Sequence, residues 1–308
     1  LFLNLYKKEF LIFFKDFYLK LLFFVFGLIF FTYLLYPIFW IDPYFLFETI
    51  KINANHFNNV GTLTLGQIMY SKDLPSTYLI IWFLVKIPLL IIIGILLIPL
   101  SEKKIFEDKE RSIYFGTILI TTFLIPLFLI LKKVHLYDEI RQVMFLVPFV
   151  FILGLVSIFT ISKKSYVILT VLMISLFIIE SIKINPYQYV WFNYPSRFID
   201  LSKKFELEYQ GISGREIAKF ISQNENSNLC ILVNPIHTVR PFLNNTNSIC
   251  YDIWQKIDTD YQRPFLAVQH VRNIKKSLPY DCKEIYQSNF QLLFHSEKFV
   301  TAKLLKCD

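Results

Sequence analysis

Long apolar runs fill the first 184 residues of the chain, whereas the remaining residues alternate short apolar runs with polar ones. A bilayer core about 30 Å thick requires about 20 apolar residues in a helix. Five segments meet this requirement: 21–40, 78–100, 113–131, 143–161 and 166–184. The last segment ends with Glu180 and Lys183, whose side chains we expect to reach the membrane surface. The pattern therefore predicts a polytopic α-helical membrane domain over residues 1–184.

The distribution of lysine and arginine between the predicted loops indicates the orientation. With a cytoplasmic N-terminus, the inside segments 1–20, 101–112 and 162–165 carry more of these residues than the outward loops 41–77 and 132–142. Segment 1–20 itself has the pattern of an interfacial helix, or of the end of an earlier span followed by a loop. Five spans then place residues 185–308 outside the cytoplasm, in an integral protein of the inner or plasma membrane.

The polar part of the chain, residues 185–308, has the pattern of a small extracytoplasmic α/β domain. Ser213 and Glu216 are spaced as a capping box, and Ile217, Phe220 and Ile221 follow on one helical face, which predicts a helix at about 214–223. Short apolar runs bounded by turn residues predict strands at 229–233, 249–253, 264–270, 284–287 and 298–305, with a second helix at 236–243.

All the cysteines lie in this C-terminal domain: Cys230, Cys250, Cys282 and Cys307. An even number in one soluble domain is typical of an oxidising compartment, although four unrelated buried thiols are the alternative. Bridges from Cys230 to Cys250 and from Cys282 to Cys307 are geometrically plausible, but the connectivity does not follow from the sequence. No spacing of cysteine and histidine is typical of zinc, so we predict no metal site. The triplet 244–246 fits a glycosylation sequon.

The formal net charge of +8 is spread along the whole chain. A nucleic-acid surface would concentrate its cations on one face or helix, so we expect no nucleic-acid partner. Lysines that flank membrane spans explain the basic balance better.

Cations gather near the outward ends of the predicted spans. Lys86 lies inside the second span, and Arg141 opens the fourth close to Lys133 and His135. A lysine within a span is a functional candidate because its charge is costly to bury there, and the alternative is that it reaches along the helix to the headgroups. Such a group of cations suits a lipid phosphate, since arginine binds phosphate oxygens through a rigid fork. Ordinary interfacial anchoring is the alternative.

Five strings occur in an order that resembles a known family: YPIFWIDP (36–43), GTLTLGQIMYSKDLPSTYLIIWFLVKIPL (61–89), LYDEIRQVMFLVP (136–148), NPYQYVWFN (185–193) and FELEYQGISGRE (205–216). Together they resemble the C-terminal half of bacterial polytopic glycosyltransferases of the GT-C type, similar to dolichyl-phosphate-mannose–protein mannosyltransferases. Two positions depart from the family pattern, since Gln210 stands where the family has tryptophan and Gln142 where it has histidine.

The resemblance implies an enzyme that moves a sugar from a polyprenyl-phosphate donor to a glycan, lipid or protein acceptor outside the cytoplasm, without a cofactor. A carboxylate would accept the proton of the acceptor hydroxyl, and in the family this carboxylate lies in the first outward loop. Because the chain begins with Leu1, we expect that half of the enzyme to lie upstream and the chain alone to be inactive. Asp42 and Glu48 are weak candidates for the base. Lys86 and Arg141 would stabilise the leaving phosphate.

Glu206, Glu208 and Tyr209 precede the predicted capping box and follow the last span closely. We expect them to dock the C-terminal domain on the outward mouth of the membrane domain. A protein of another class is the alternative function: a non-catalytic membrane-anchored protein whose outward domain binds a partner or a glycan. A transporter is a third possibility, but it would carry several charged residues that face one another across spans.

Overall fold

A computed structural model of the protein describes residues 7–55, 59–224, 229–233, 235–243, 249–251, 264–271 and 281–307. The chain divides into two compact units, Leu1–Asn58 and Asn59–Asp308. Within the described residues, four helices are long and apolar enough to cross a membrane, or five if one bent pair of helices counts as a single span. The prediction of several helices apolar enough to span a membrane, followed by a small C-terminal sheet domain, is confirmed.

The first unit contains one long apolar helix, α1 (Lys7–Leu35), followed by α2 (Ile38–Ile41) and α3 (Phe45–Asn55). We expected a separate segment over residues 1–20 ahead of a span at 21–40. Instead one continuous helix begins at Lys7 and ends just before the residue that precedes Pro37. A proline disfavours helical backbone at the residue before it, which explains this end.

The second unit begins with a hairpin of β1 (Gly61–Thr64) and β2 (Gln67–Tyr70). Its helices follow in the order α4 (Tyr78–Lys86), α5 (Leu89–Leu96), α6 (Ile98–Glu107), α7 (Lys109–Leu131), α8 (Val147–Ile161) and α9 (Lys163–Lys183). A 3-10 turn, Arg141–Leu146, leads into α8. The spans predicted at 113–131, 143–161 and 166–184 correspond to α7, to this turn with α8, and to α9.

The span predicted at 78–100 is wrong as a continuous helix. α4 and α5 meet at an angle of 117°, so the pair forms a broken span or a re-entrant segment. The break lies at Ile87 and Pro88, where the backbone of both residues is extended or non-helical. Pro88 lacks the N–H that would continue the helix and pushes Ile87 out of helical backbone. Lys86 is therefore the last residue of its helix.

α5 and α8 cross in close contact at two glycines. A Cβ atom at Gly94 would lie 2.2 Å from the carbonyl oxygen of Gly154, and a Cβ at Gly154 would lie 2.6 Å from that of Ile91. Only glycine permits backbones to approach so closely, as is common where apolar helices cross. This crossing fixes the second half of the broken segment against α8.

The C-terminal sheet has five strands among the described residues: β3 (Cys230–Val233), β4 (Ile249–Tyr251), β5 (Phe265–His270), β6 (Cys282–Phe290) and β7 (Phe299–Cys307). Their order is β4-β3-β5-β7-β6, with β3 parallel to β4 and β5 and the other pairs antiparallel. After the one-turn helix α10 (Leu201–Lys204), helix α11 (Ser213–Asn224) buries Ile217 and Ile221 in an apolar cluster with residues of β3, β5 and β7. The segment predicted as a helix at 236–243 forms two 3-10 turns instead. Pro241 lacks the N–H that a continuous α-helix would need at this position.

Two of the cysteines join the last two strands. Cys282 and Cys307 are register partners at the ends of β6 and β7 and form a disulfide. This is one of the two pairings that the sequence left open. Cys230 is also disulfide-bonded, whereas the side chain of Cys250 and the triplet 244–246 lie outside the described residues.

The predicted capping box at the start of α11 is wrong, because both of its side chains have tertiary partners. The Ser213 hydroxyl lies 3.1 Å from Nδ1 of His270 and 3.5 Å from a Glu208 oxygen. Glu216 accepts a hydrogen bond from Ser288 instead of returning to the helix start. Burial lowers the pKa of His270 to about 4, so its ring is neutral at neutral pH and joins this network without a charge.

An aromatic core connects α4 with the segment that follows α9 and with the sheet. The Trp82 ring packs 5.2 Å from Phe205 and 6.2 Å from Phe192, and Tyr187 stacks on Phe290 at 5.3 Å. Such aromatic pairs add to the free energy gained by burying their large apolar surfaces. This core contains residues from both sides of the predicted domain boundary at residue 184.

The carboxylate of Glu180, in the last turn of α9, accepts three hydrogen bonds and forms an ion pair. Oε1 accepts from the Leu293 N–H at 3.0 Å and lies 2.7 Å from Arg197 Nη1 in the ion pair, and Oε2 accepts from Arg197 Nη2 and Trp191 Nε1, both at 2.8 Å. Glu180 is fully buried, so the expectation that it reaches the membrane surface is wrong. The cluster of Glu180, Arg197, Trp191 and Leu293, called here the Glu180 clamp, joins the end of α9 to residues 191–197 and to the loop between β6 and β7.

The substitution Glu180→Gln is expected to lower the free energy of unfolding by about 3–5 kcal/mol, because it leaves the buried Arg197 charge without its partner. Denaturant titration of the purified protein in detergent measures this loss. Asp200→Asn is the matched control, since it removes an exposed pair with Lys203 and is expected to change stability little. Equal effects of the two substitutions would contradict the clamp.

Candidate functional site

The turn between α7 and α8 has an unusual backbone. Asp138 and Glu139 both adopt positive φ angles, of 54° and 67°. Left-handed backbone is costly for residues with a Cβ and persists only where the surroundings impose it. Here the Asp138 N–H donates to Thr62 Oγ1 at 3.2 Å, and the Glu139 N–H donates to the Tyr78 hydroxyl at 3.1 Å. The hairpin and α4 therefore hold the turn in place.

Glu139 forms a buried ion pair with Lys86. The distance from Lys86 Nζ to Glu139 Oε2 is 2.8 Å, and only 5% and 4% of the two side chains are exposed. Nζ also donates to the Tyr189 carbonyl at 3.3 Å and lies 4.1 Å from the centre of the Phe192 ring. Lys86 therefore does not extend to a headgroup, and its charge is compensated inside the protein. We therefore assign Lys86 to this ion pair and not to a lipid phosphate.

The second oxygen of Glu139 differs from the first. Oε1 is buried and has no hydrogen-bond partner among the described residues. Burial raises the pKa of the Glu139 carboxyl to about 7, the ion pair with Lys86 lowers it, and the nearby carboxylates of Glu206 and Asp138 raise it again. A buried acceptor without a donor lowers stability and calls for a reason other than packing. Both oxygens of Glu180, by contrast, accept hydrogen bonds, as expected of a purely structural carboxylate.

Arg141 is an exposed cation that follows the strained turn directly. Its Nη1 lies 3.5 Å from Asp138 Oδ2, and 55% of the arginine side chain is exposed against 8% of the aspartate. A buried carboxylate therefore orients a guanidinium that solvent can reach. Gln142 accepts a hydrogen bond from the Tyr137 N–H at 2.9 Å and closes the same turn. The arginine stands at the first position of the 3-10 turn that opens α8.

Lys133 and His135 lie on the same connection as Arg141. Lys133 lines a cavity of about 280 Å³ together with the segment 71–76 that follows the hairpin and with residues of α4 and α7. His135 Nδ1 donates to the Ser71 carbonyl at 3.0 Å and so ties the connection to the end of the hairpin. Of the predicted phosphate-binding residues, Arg141 is thus the one held as an exposed cation by a buried carboxylate.

The predicted docking residues contact the hairpin and the segment after α9. The Glu206 N–H donates to the Leu63 carbonyl at 2.8 Å, and its carboxylate accepts from the Leu63 N–H at 3.3 Å. Glu208 accepts a hydrogen bond from the Tyr189 hydroxyl, and burial raises the pKa of this carboxyl. The Tyr209 ring packs 5.4 Å from that of Tyr189. The three residues therefore fix segment 205–209 beside the turn that carries Glu139.

Asp42 and Glu48, the weak candidates for a base, belong to the first unit. Asp42 Oδ1 accepts a hydrogen bond from the Tyr44 N–H at 3.0 Å, and Glu48 lies in the first turn of α3, where a negative charge favours the helix. Both have local structural roles. Among the described residues no cluster of three or more histidine, cysteine, aspartate or glutamate side chains is arranged to hold a metal ion.

Sequence reasoning singled out Lys86 and Arg141 but missed the two acidic residues that pair with them. The available signal was the adjacency of Asp138 and Glu139 to Arg141 in the string YDEIRQ. The partner of Lys86 could not be recognised, because the two residues lie on different elements far apart in the chain.

Lys86→Met is expected to lower the free energy of unfolding by about 3 kcal/mol, because the buried Glu139 carboxylate loses its compensating charge. The double variant Lys86→Met/Glu139→Gln is expected to recover most of this loss, since neither charge remains. Denaturant titration of the wild type, both single variants and the double variant gives the coupling energy. Losses that simply add in the double variant would show that the pair does not act as a unit.

Comparisons with known proteins leave the resemblance to GT-C glycosyltransferases as a prediction from sequence motifs. No known protein family, curated protein or solved structure matches the chain. The geometry of the Arg141 turn and of the elements that hold it is therefore the basis for a function.

Proposed function

We propose that the chain is part of a membrane glycosyltransferase that takes a sugar from a polyprenyl-phosphate donor and transfers it to a glycan, lipid or protein acceptor outside the cytoplasm. The observation that carries this proposal is Arg141, an exposed guanidinium oriented by the buried Asp138 at the start of an apolar helix. A lipid phosphate lies at the boundary between the hydrocarbon core of the membrane and water. A cation at the end of a membrane-spanning helix would lie at the same depth.

The chemistry of the reaction explains why a cation is needed there. When the bond between the sugar and the phosphate breaks, negative charge builds up on the leaving phosphate, and an oriented cation lowers the free energy of that transition state. The planar fork of arginine matches two phosphate oxygens at once. Asp138 holds one edge of the guanidinium and leaves more than half of the side chain exposed.

Glu139 supports this arrangement without taking part in the transfer. Its ion pair with Lys86 and the N–H bond to Tyr78 fix the strained turn from which Arg141 projects. Both of its oxygens are enclosed, so we do not assign it as the base that accepts the proton of the acceptor hydroxyl. That base is not among the residues we assign.

The orientation is part of the same proposal. Lysine and arginine counts favour a cytoplasmic N-terminus and an extracytoplasmic sheet domain. The disulfide between Cys282 and Cys307 supports an oxidising compartment for this domain.

Arg141→Ala is expected to reduce sugar transfer about 100-fold, because the transition state loses its oriented cation. Arg141→Lys is expected to retain an intermediate rate, since it keeps the charge and loses the fork. The measurement is transfer of label from a panel of radiolabelled polyprenyl-phosphate hexoses, with the complete gene product in its own membranes.

Arg111→Ala is the matched control. This arginine lies in the first turn of α7, at the opposite end of that helix from the Arg141 turn, and its loss is expected to leave the rate unchanged. An Arg141→Ala variant as active as the control would contradict the assignment of Arg141. A wild type that transfers sugar from none of the donors would favour the binding protein over the enzyme.

A further inference from the structure

Two phenylalanines project from neighbouring loops of the second unit. Phe198 ends the 3-10 turn Pro195–Phe198 with 91% of its surface exposed, and Phe294 in the loop between β6 and β7 is 75% exposed. The ring of Tyr194 lies 5.9 Å from that of Phe294, so the two loops present one surface. The name aromatic patch is used here for Tyr194, Phe198 and Phe294. Large exposed apolar patches mark places where a protein meets a partner or a membrane.

The Glu180 clamp sets the position of this patch along α9. Arg197 lies between Tyr194 and Phe198, and the Leu293 N–H next to Phe294 donates to Glu180 in the last turn of α9. The Leu293 carbonyl in turn accepts a hydrogen bond from Arg197 Nη1 at 2.6 Å. Both loops are therefore fixed at the C-terminal end of a helix that is long and apolar enough to cross a membrane.

An apolar surface continues from the patch along the helix. A cavity of about 400 Å³ is lined by Trp191 and Tyr194 from the same segment and by Phe177 and other apolar residues of α9, with α5 and α8 completing its walls. Ile182, two residues after Glu180 in the last turn of α9, is 74% exposed. Tyr194 of the aromatic patch thus shares an apolar cavity with the flank of α9.

We propose that the aromatic patch inserts into the boundary between headgroups and acyl chains at the end of α9. Aromatic rings are favoured at this depth, because the interface accepts a flat apolar ring beside polar groups. Lys183, the cation in the last turn of α9, would lie at the headgroups of the same leaflet. The partner is thus the lipid surface next to the helix. The inference rests on membrane insertion of α9 and is independent of sugar transfer.

The consequence is a fixed placement of the C-terminal sheet on the membrane. The Glu180 clamp binds the loops rigidly to α9, and the patch adds a second contact with lipid beside the helix. The turn that carries Arg141 belongs to the same unit as the patch. Anchoring the sheet in this way would keep that unit from tilting away from the bilayer.

Depth measurements by electron paramagnetic resonance test the proposal. Nitroxide labels are attached to Phe198→Cys and Phe294→Cys, which is feasible because no described cysteine is free. The protein is reconstituted in phosphatidylcholine nanodiscs, and the accessibility of each label to oxygen, which partitions into lipid, is divided by its accessibility to a water-soluble nickel chelate. Phe242→Cys is the control, since this phenylalanine lies on the 3-10 turn Arg240–Phe242 near α11 and is also partly exposed.

We expect a higher oxygen-to-nickel ratio at positions 198 and 294 than at position 242. Ratios at 198 and 294 equal to the control would overturn the proposal. Labels shielded from both reagents, with spin–spin broadening that disappears on dilution with unlabelled protein, would also overturn it, because the patch would then face a second copy of the chain. The label measurements do not depend on whether these variants transfer sugar. The two proposals can therefore fail separately.

Discussion

The arrangement of the second unit depends on the hydrogen bonds and the ion pair of the buried Glu180 carboxylate. It accepts three hydrogen bonds and an ion pair at the end of an apolar helix and so connects α9 with residues 191–197 and with the loop between β6 and β7. The aromatic core around Trp82 packs against the segment that this clamp holds. A charge buried beside a membrane helix is tolerable only when it is paired and fully hydrogen-bonded, and the clamp meets both conditions.

The buried pair of Lys86 and Glu139 meets the first condition but not the second. Lys86 neutralises one oxygen of Glu139, but the other oxygen has no donor among the described residues, and the backbone of Glu139 is left-handed. The unpaired oxygen and the left-handed backbone each cost free energy. They belong to the turn from which the exposed Arg141 side chain projects. We infer that the two buried ion pairs have different roles. The pair of Glu180 and Arg197 holds the elements of the unit together, and the pair of Lys86 and Glu139 holds the turn that places Arg141 at the start of α8.

Local patterns predicted the elements well but not the contacts between them. The apolar runs gave α7, α8 and α9, and the alternation of apolar and turn residues gave α11 and the strands. The position of a proline did not predict whether a helix breaks, because Pro126 lies inside the continuous helix α7 whereas Pro88 breaks the α4–α5 segment. A membrane helix tolerates proline where neighbouring groups replace the lost hydrogen bond, and those neighbours are not visible in the sequence.

The candidate site was only half predictable for the same reason. Arg141 and Lys86 could be found from the cost of placing a charge in an apolar run, but the partner that neutralises Lys86 depends on tertiary packing. Ser213 and Glu216 show the converse error, since their spacing fits a cap while burial directs them to His270 and Ser288. Where a side chain is buried, its tertiary partners decide its role.

The most direct measurement of the central claim is an electron cryo-microscopy structure of the complete protein in nanodiscs with a saturating polyprenyl phosphate. The account predicts density for the phosphate within hydrogen-bonding distance of the Arg141 guanidinium, with Lys86 still paired to Glu139. A phosphate bound at another position, or Lys86 released from Glu139 to reach it, would contradict the account.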